Sequence, residues 1–211
     1  MSRPARRLVL GSASPARLAT LRSAGVHPEV VVSGVDESQV RLDDPAGLAE
    51  ELARLKARAV ADEVESRPQD GQEPPLVVGC DSVLELDGEI HGKPADADEA
   101  VRRWRSMRGR SGVLHTGHCL IDTADGRELS RAADTVVHFA ELDDAEIDAY
   151  VATGEPLHVA GAFTLDGLGG AFVTGIEGDP HCVVGISLPL LRTMTAELGV
   201  AWTDLWCPAE R

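Results

Sequence analysis

Apolar positions along the chain follow two periods, near 2 and near 3.6, and their succession predicts interleaved strands and helices. Leu8-Val9-Leu10 reads as a short buried strand. Behind it, Leu18, Leu21 and Ala24 lie at helical spacing, with Ser14 suited to the N-cap, Pro15 to the first helical position and Gly25 to the stop. Val30-Val31-Val32 predicts a second strand leading into Ser33 to Glu37. From Pro45 to Glu65 the spacing predicts a helix with Leu48, Leu52, Leu55 and Ala59 on its apolar stripe and Lys56 projecting beside it. Ser66 to Pro75 is polar and aperiodic, the pattern of a mobile loop.

Leu76 to Gly79 predicts a buried strand that ends at Cys80-Asp81-Ser82, and Asp87-Gly88 between apolar residues predicts a tight hairpin. A helix follows from Asp98 to Arg108, with Val101, Trp104 and Met107 inward and Gly109 as its stop. Strands are expected at Val113 to Ile121 and Thr135 to Phe139, joined through Asp125-Gly126. Asp143 to Glu146 forms a capping box for a helix through Thr153. The glycine-rich stretch Gly161 to Gly170 implies a bend or close backbone approach. Strands at Ala171 to Ile176 and Cys182 to Gly185 and a helix at Leu188 to Leu198 complete the reading. Helices alternate with hairpins, so the sheet is mixed rather than wholly parallel.

With 211 residues, 43% hydrophobic and 26% charged, the chain has the makeup of a globular protein, read as one domain over 1–211. No apolar run approaches a membrane span, and the run after the basic start is too short for a signal peptide, which points to the cytoplasm. Four cysteines without a C-x-x-C pair argue against structural zinc. A net charge of −15 disfavours nucleic acid, though a cleft with convergent cations can still hold a small anion.

Within the 20 basic residues only Lys56 and Lys93 are lysine. A solvated surface charge tolerates arginine, whereas a compact ammonium meeting one phosphate oxygen does not, so each surviving lysine is a candidate for chemistry. Lys93 lies in a Gly/Pro-flanked loop, Ile90 to Pro94. Gly11-Ser12-Ala13-Ser14-Pro15-Ala16-Arg17 leaves a strand and opens a helix, where free N–H groups favour anions; a plain helix cap would also suit it. A cation as early as Arg17 opposes the helix dipole, which an anion would relieve. Asp81 and the pair Asp36-Glu37 each follow a valine-rich strand, where a carboxylate can bind Mg²⁺, deprotonate water or simply cap a turn. The inventory fits metal-assisted attack on a phosphoanhydride, and the absence of a G-x-x-x-x-G-K-[ST] segment excludes a P-loop enzyme.

Three segments, LVLGSASPARLATLRSAGVHPEVVVSGVDE, VGCDSVLELDGEIHGKP and GEPLHVAGAFTLDGLG, together resemble the Maf family of nucleoside triphosphate pyrophosphatases. The resemblance implies an elongated two-lobed α/β fold with a central cleft, related to inosine triphosphate pyrophosphatases. It also implies hydrolysis between the α and β phosphates, a divalent cation (Mg²⁺ or Mn²⁺), and homodimers. Ser12, Ser14 and Arg17 match its phosphate-binding motif, Glu37 its acidic metal-site residue, and Lys56 and Lys93 its two active-site lysines. Asp81 matches its water-activating residue and metal ligand, and Ser82 stands where many members have Thr.

Ala16 departs from the Arg-Arg of pyrimidine-preferring members, and Leu165-Asp166-Gly167 from their Ile-Gln-Gly, so that base preference does not carry over. Asp166 can accept from a base amino group, join the metal site or stabilise a turn. Two other readings stay open: a nucleotide-binding regulator of septum formation, and a pyrophosphatase specific for inosine or xanthosine triphosphate. His115 and His118 are expected on opposite strand faces as structural groups, and Asp179-Pro180-His181 as a turn. Cys80 is expected buried and Trp104 in the core. The arginines at 102, 103, 105, 108 and 110 read as a solvated face or subunit contact.

Overall fold

The computed structural model describes residues 6–67 and 73–207. Among them seven strands form one mixed sheet: β1 (Leu8–Gly11), β2 (Glu29–Val30), β3 (Leu76–Leu86), β4 (Glu89–His91), β5 (Ser111–Asp122), β6 (Arg127–Phe139) and β7 (Val173–Glu177). Their order is β2-β1-β3-β5-β6-β7, with β4 paired to β3. Among the described residues six α-helices surround it: α1 (Pro15–Ser23), α2 (Pro45–Glu65), α3 (Ala97–Met107), α4 (Asp144–Ala152), α5 (Pro180–Val184) and α6 (Leu188–Glu197). The mixed α/β reading therefore holds. Among the described residues no helix is long and apolar enough to cross a membrane.

Strand β3 organises the molecule. One of its edges is paired to antiparallel β5 from Leu76 to Glu85. The other edge is shared: β1 runs parallel to Leu76–Gly79, and β4 returns antiparallel to Leu84–Leu86. Between them, residues 80–83 have no strand partner on that side among the described residues. The expectation that this strand ends at Cys80-Asp81-Ser82 is thus corrected. The strand that ends there is β1, and β3 continues because β5 keeps pairing with it.

Two apolar clusters occupy one face of the sheet. The first joins β1, β3, α1 and α6 through Leu10, Val78, Leu21, Ile186 and Leu191. The second joins the far ends of β3, β5 and β6 to α3 and α4 through Leu84, Trp104, Phe139, Ile147 and Tyr150. Trp104 is fully buried there, meets Phe139, Tyr150 and Phe172 edge to face, and donates its indole N–H to Ala162 O.

Helix α2 covers the opposite face with the predicted bounds, opened by N-cap Asp44 and by Pro45, but its buried stripe differs from expectation. Ala49, Leu52, Ala53, Lys56, Ala57, Val60, Ala61 and Val64 face the sheet, while Leu48, Leu55 and Ala59 are half-buried. Small residues win because the helix lies almost on the strands. A Cβ at Gly79 would come within 2.3 Å of Ala53 O, and one at Gly117 within 2.1 Å of Ala49 O.

Other boundaries also move. Of the strand expected at Val30–Val32 only Val30 is extended in the sheet, within the two-residue β2 (Glu29–Val30), since β1 stops at Gly11; Val31 N still donates to Leu10 O, but Val32 is exposed. Strand β6 begins at Arg127 rather than Thr135, because the Asp125-Gly126 turn closes a long hairpin with β5. Cys182–Gly185 is helical rather than extended: Asp179 caps α5, Pro180 opens it, and Gly185 ends it at φ 108°. Asp179-Pro180-His181, read as a turn, is that cap. Of the loop Ser66 to Pro75, residues 68–72 lie outside the described residues.

Candidate active site

The unpaired stretch of β3 opens onto a cleft of about 1630 Å³. Strand alternation sorts its residues onto two faces. Asp81 follows Gly79 on the α2 side, while Cys80 and Ser82 point to the side of α1 and α5.

On the α2 side, Lys56 is 8% exposed, and its Nζ lies 2.5 Å from Asp81 Oδ1 and 2.6 Å from Glu37 Oε1. Glu37 arrives on a short 3-10 turn, Glu37–Gln39, that Asp36 caps by accepting from Ser38 N. Burial pushes the Glu37 carboxyl up. The hydrogen bond and charge of Lys56, with Lys93 and Arg17 farther off, outweigh that and hold it below the usual carboxylate range. Asp81 Oδ2 has no hydrogen-bond partner among the described residues.

On the other side, Arg17 is committed to the protein. Its Nε donates to Gly185 O at 2.7 Å, Nη1 to Cys80 O at 2.8 Å and Ser12 Oγ at 3.1 Å, and Nη2 to Ser82 Oγ at 3.1 Å. The guanidinium thus caps the β3 edge that β1 leaves open and aims two hydroxyls. Gly185 allows this approach, since a Cβ there would sit 2.9 Å from Arg17 Nε. Ser82 Oγ continues to Thr116 Oγ1 at 2.9 Å, which donates to Cys182 O. Ser14 Oγ accepts from Arg17 N, and Ser12 Oγ from Ser14 N, fixing the turn into α1.

Lys93 lies on the opposite lip. The preceding carbonyl, Gly92 O, accepts from Arg103 Nη1 at 2.5 Å and from Gly161 N at 3.1 Å, and Pro94 is buried. The loop is anchored on both sides of an ammonium that is exposed and makes no hydrogen bond or ion pair among the described residues. In the arginine run, expected as a solvated face or subunit contact, Arg103 departs from that reading, since it is buried, while Arg105 and Arg108 hold Asp144 and Arg110 holds Asp87 at the surface. Among the described residues Arg102 makes no ion pair.

Asp166 lines the cleft on the glycine-rich segment and is exposed. Sequence reasoning missed the group that shapes this segment. Glu155 accepts from Thr164 Oγ1 at 2.5 Å, from Leu168 N and Gly169 N at 3.0 Å each, and from Tyr150 Oη at 3.1 Å. Burial raises the Glu155 carboxyl, but these hydrogen bonds prevail and lower it. Its position after Gly154 and before Pro156 is a turn signal that could have marked it.

The histidines are structural, as expected. His115 lies between Glu85 and Asp134, and buried His118 accepts from Ser187 N through Nε2 and bonds Thr116 O through Nδ1. Burial raises the Cys80 thiol to about 11, consistent with its inert reading.

The chain matches the family model described as Maf-like protein over residues 7–198. A nucleoside triphosphate pyrophosphatase of Salinispora tropica is 62% identical over 200 residues, covering 95% of this chain and 87% of the other. That of Streptomyces coelicolor is 59% identical over 207 residues, 98% of each chain. One from Nostoc punctiforme is 51% identical over 198 residues, 94% of this chain and 96% of the other.

Proposed function

The chain belongs to the Maf-like family, and from that premise we propose that it is a nucleoside triphosphate pyrophosphatase, a hydrolase releasing nucleoside monophosphate and pyrophosphate. The observation that carries the reading is Lys56 Nζ held between Glu37 and Asp81, in a cleft also lined by Lys93 and the Ser12 to Arg17 turn.

Glu37 and Asp81 suit a hard divalent cation. Mg²⁺ and Mn²⁺ accept one or two carboxylates when phosphates and water complete their shell. Among the described residues no cluster of three or more His, Cys, Asp or Glu side chains could hold a metal, so most of that shell falls to substrate and water. A cation bound there would neutralise phosphate charge.

The protein's own groups divide the remaining work. Asp81 Oδ2 accepts a proton from water, the water oxygen forms the new P–O bond, and the bridging P–O bond between α and β phosphates breaks with its electron pair on pyrophosphate. Lys56 and Lys93 take up the charge developing on phosphate oxygens. The Ser12 hydroxyl oxygen accepts from Arg17 and Ser14 N, so its proton is left to donate to a phosphate oxygen, in a direction set before substrate arrives. The Ser82 proton is directed to Thr116, whose own proton goes to Cys182 O.

Incubating the protein and its Asp81→Asn variant with Mg²⁺ or Mn²⁺ and a panel of normal and modified triphosphates, then resolving products by chromatography, tests the reading. The wild type should form monophosphate and pyrophosphate, and the variant should lose roughly 10²-fold or more of turnover with its fold intact. Full activity in Asp81→Asn would refute the assignment of the base. Binding without turnover across the panel would favour a nucleotide-binding regulator.

A further inference from the structure

We infer that Lys56 is a resident counter-ion for the metal-binding carboxylates, holding between Glu37 and Asp81 the place a divalent cation takes, so that metal enters together with nucleotide rather than ahead of it. This rests on the reading above that those two carboxylates are the metal donors.

The geometry points to exchange rather than coexistence. One ammonium engages both carboxylates, at 2.6 Å and 2.5 Å, and so occupies one oxygen of each group that would hold a cation. Lys56 carries the ammonium from the buried alanine face of α2, where water has little access to replace a lost partner. Removing the carboxylates from it without a substitute would leave a desolvated charge unpaired, a large penalty. The ammonium also reduces the pair's formal charge from −2 to −1, which weakens its hold on a free dication.

A nucleotide changes both conditions. Its phosphate oxygens give Lys56 a new acceptor within the same cleft, and they bring ligands that the two carboxylates cannot supply alone. Lys93 provides the contrast. Its ammonium has no carboxylate partner among the described residues, so it meets phosphate without first surrendering a contact.

Mn²⁺ titration of the full chain without nucleotide, followed by electron paramagnetic resonance, tests the inference. Lys56→Met should bind Mn²⁺ tighter than wild type by on the order of tenfold or more, because it vacates both oxygens and restores a negative charge. Equal or weaker binding in folded Lys56→Met overturns the proposal. A second measurement leaves the site intact. The chain holds only two lysines, so lysine labelled with ¹³C at the ε carbon gives two signals, assigned with Lys93→Arg. Millimolar Mg²⁺ alone should leave the Lys56 signal in place, whereas Mg²⁺ with an α,β-methylene triphosphate should move it. Movement with Mg²⁺ alone to the same position overturns the proposal. If no triphosphate binds, the pyrophosphatase reading fails, while the Mn²⁺ comparison still decides the role of Lys56.

Discussion

Gly79→Ala asks whether the closeness of α2 to the sheet is what sets Lys56 against Asp81. An added Cβ would lie 2.3 Å from Ala53 O and 2.6 Å from Ala57 N, where real Cβ contacts essentially never fall under 3.0 Å. The shortfall is 0.7 Å at Ala53 and 0.4 Å at Ala57. Both are backbone atoms on consecutive turns of α2, so no side-chain rotation relieves them, and the helix must retreat. Lys56 lies between those residues, and Asp81 lies two positions from Gly79 on the same strand face. The retreat therefore acts directly on the 2.5 Å contact between them.

Overpacking of this kind costs about 1–3 kcal/mol, which leaves the variant folded against a typical total of about 5–15 kcal/mol. Displacing a reacting group by about 1 Å can cost as much as 10²-fold in rate, so roughly a tenfold loss in kcat is expected here. Gly112→Ala is the control. Its Cβ would meet Glu85 O and Leu84 Cδ1 at 2.9 Å, a shortfall of only 0.1 Å, away from α2. Urea denaturation midpoints and steady-state kcat under folding conditions separate the two. Gly79→Ala should lose both stability and kcat, and Gly112→Ala should keep kcat. Wild-type values in Gly79→Ala, or equal kcat losses in the pair, would refute the argument that contact distance on this face governs the site.

Two further perturbations reach other parts of the cleft. Glu155→Ala removes an acceptor of four hydrogen bonds, so the amides of Leu168 and Gly169 should exchange with solvent roughly tenfold faster or more, with KM rising more than kcat falls; unchanged exchange would show that another group holds the segment. Burial, assisted by Arg17, lowers His118 to about 4, so its ring is neutral in the fold and titrates near 6.5 once unfolded. Its contribution is therefore present above about pH 6.5 and is lost as pH falls toward 4. Between pH 7 and 4.5 wild type should lose about 2 kcal/mol more stability in urea than His118→Gln does, and parallel losses would exclude the histidine as the cause.

Where the chain's chemistry and its folding signals coincide, the sequence was readable. Caps and turns carry their own local causes, and Asp44-Pro45, Asp87-Gly88 and Asp143 to Glu146 define the starts and bends that the structure shows. The same signal stood at Asp179-Pro180, with Gly185 as the stop, but the apolar run Cys182 to Val184 suggested a strand. Five residues are too few for periodicity to choose between the two, whereas a cap and a stop would have chosen correctly. Arg103 and Glu155 were missed for a different reason. Each acts through backbone carbonyls or amides 11 to 14 residues away, and although Gly154 and Pro156 mark a turn at Glu155, a turn signal does not name the backbone groups its side chain will hold.

The two errors nearest the site share one cause. Polar residues at 80–82 looked like the end of a strand, and a lysine looked like the border of a helical stripe, because both readings assume that burial means hydrophobicity. In the structure Asp81 is in mid-strand and Lys56 is in mid-stripe, both buried, and each is tolerated there because the other is present. An unpaired buried charge on either element would be strongly destabilising, so neither position makes sense when read singly. The glycines complete the pairing: Gly79 and Gly117 let an alanine face come close enough for a helix ammonium to reach a strand carboxylate. A sequence shows such a pair only when alanine periodicity on the helix and glycines on the strands are read as one surface.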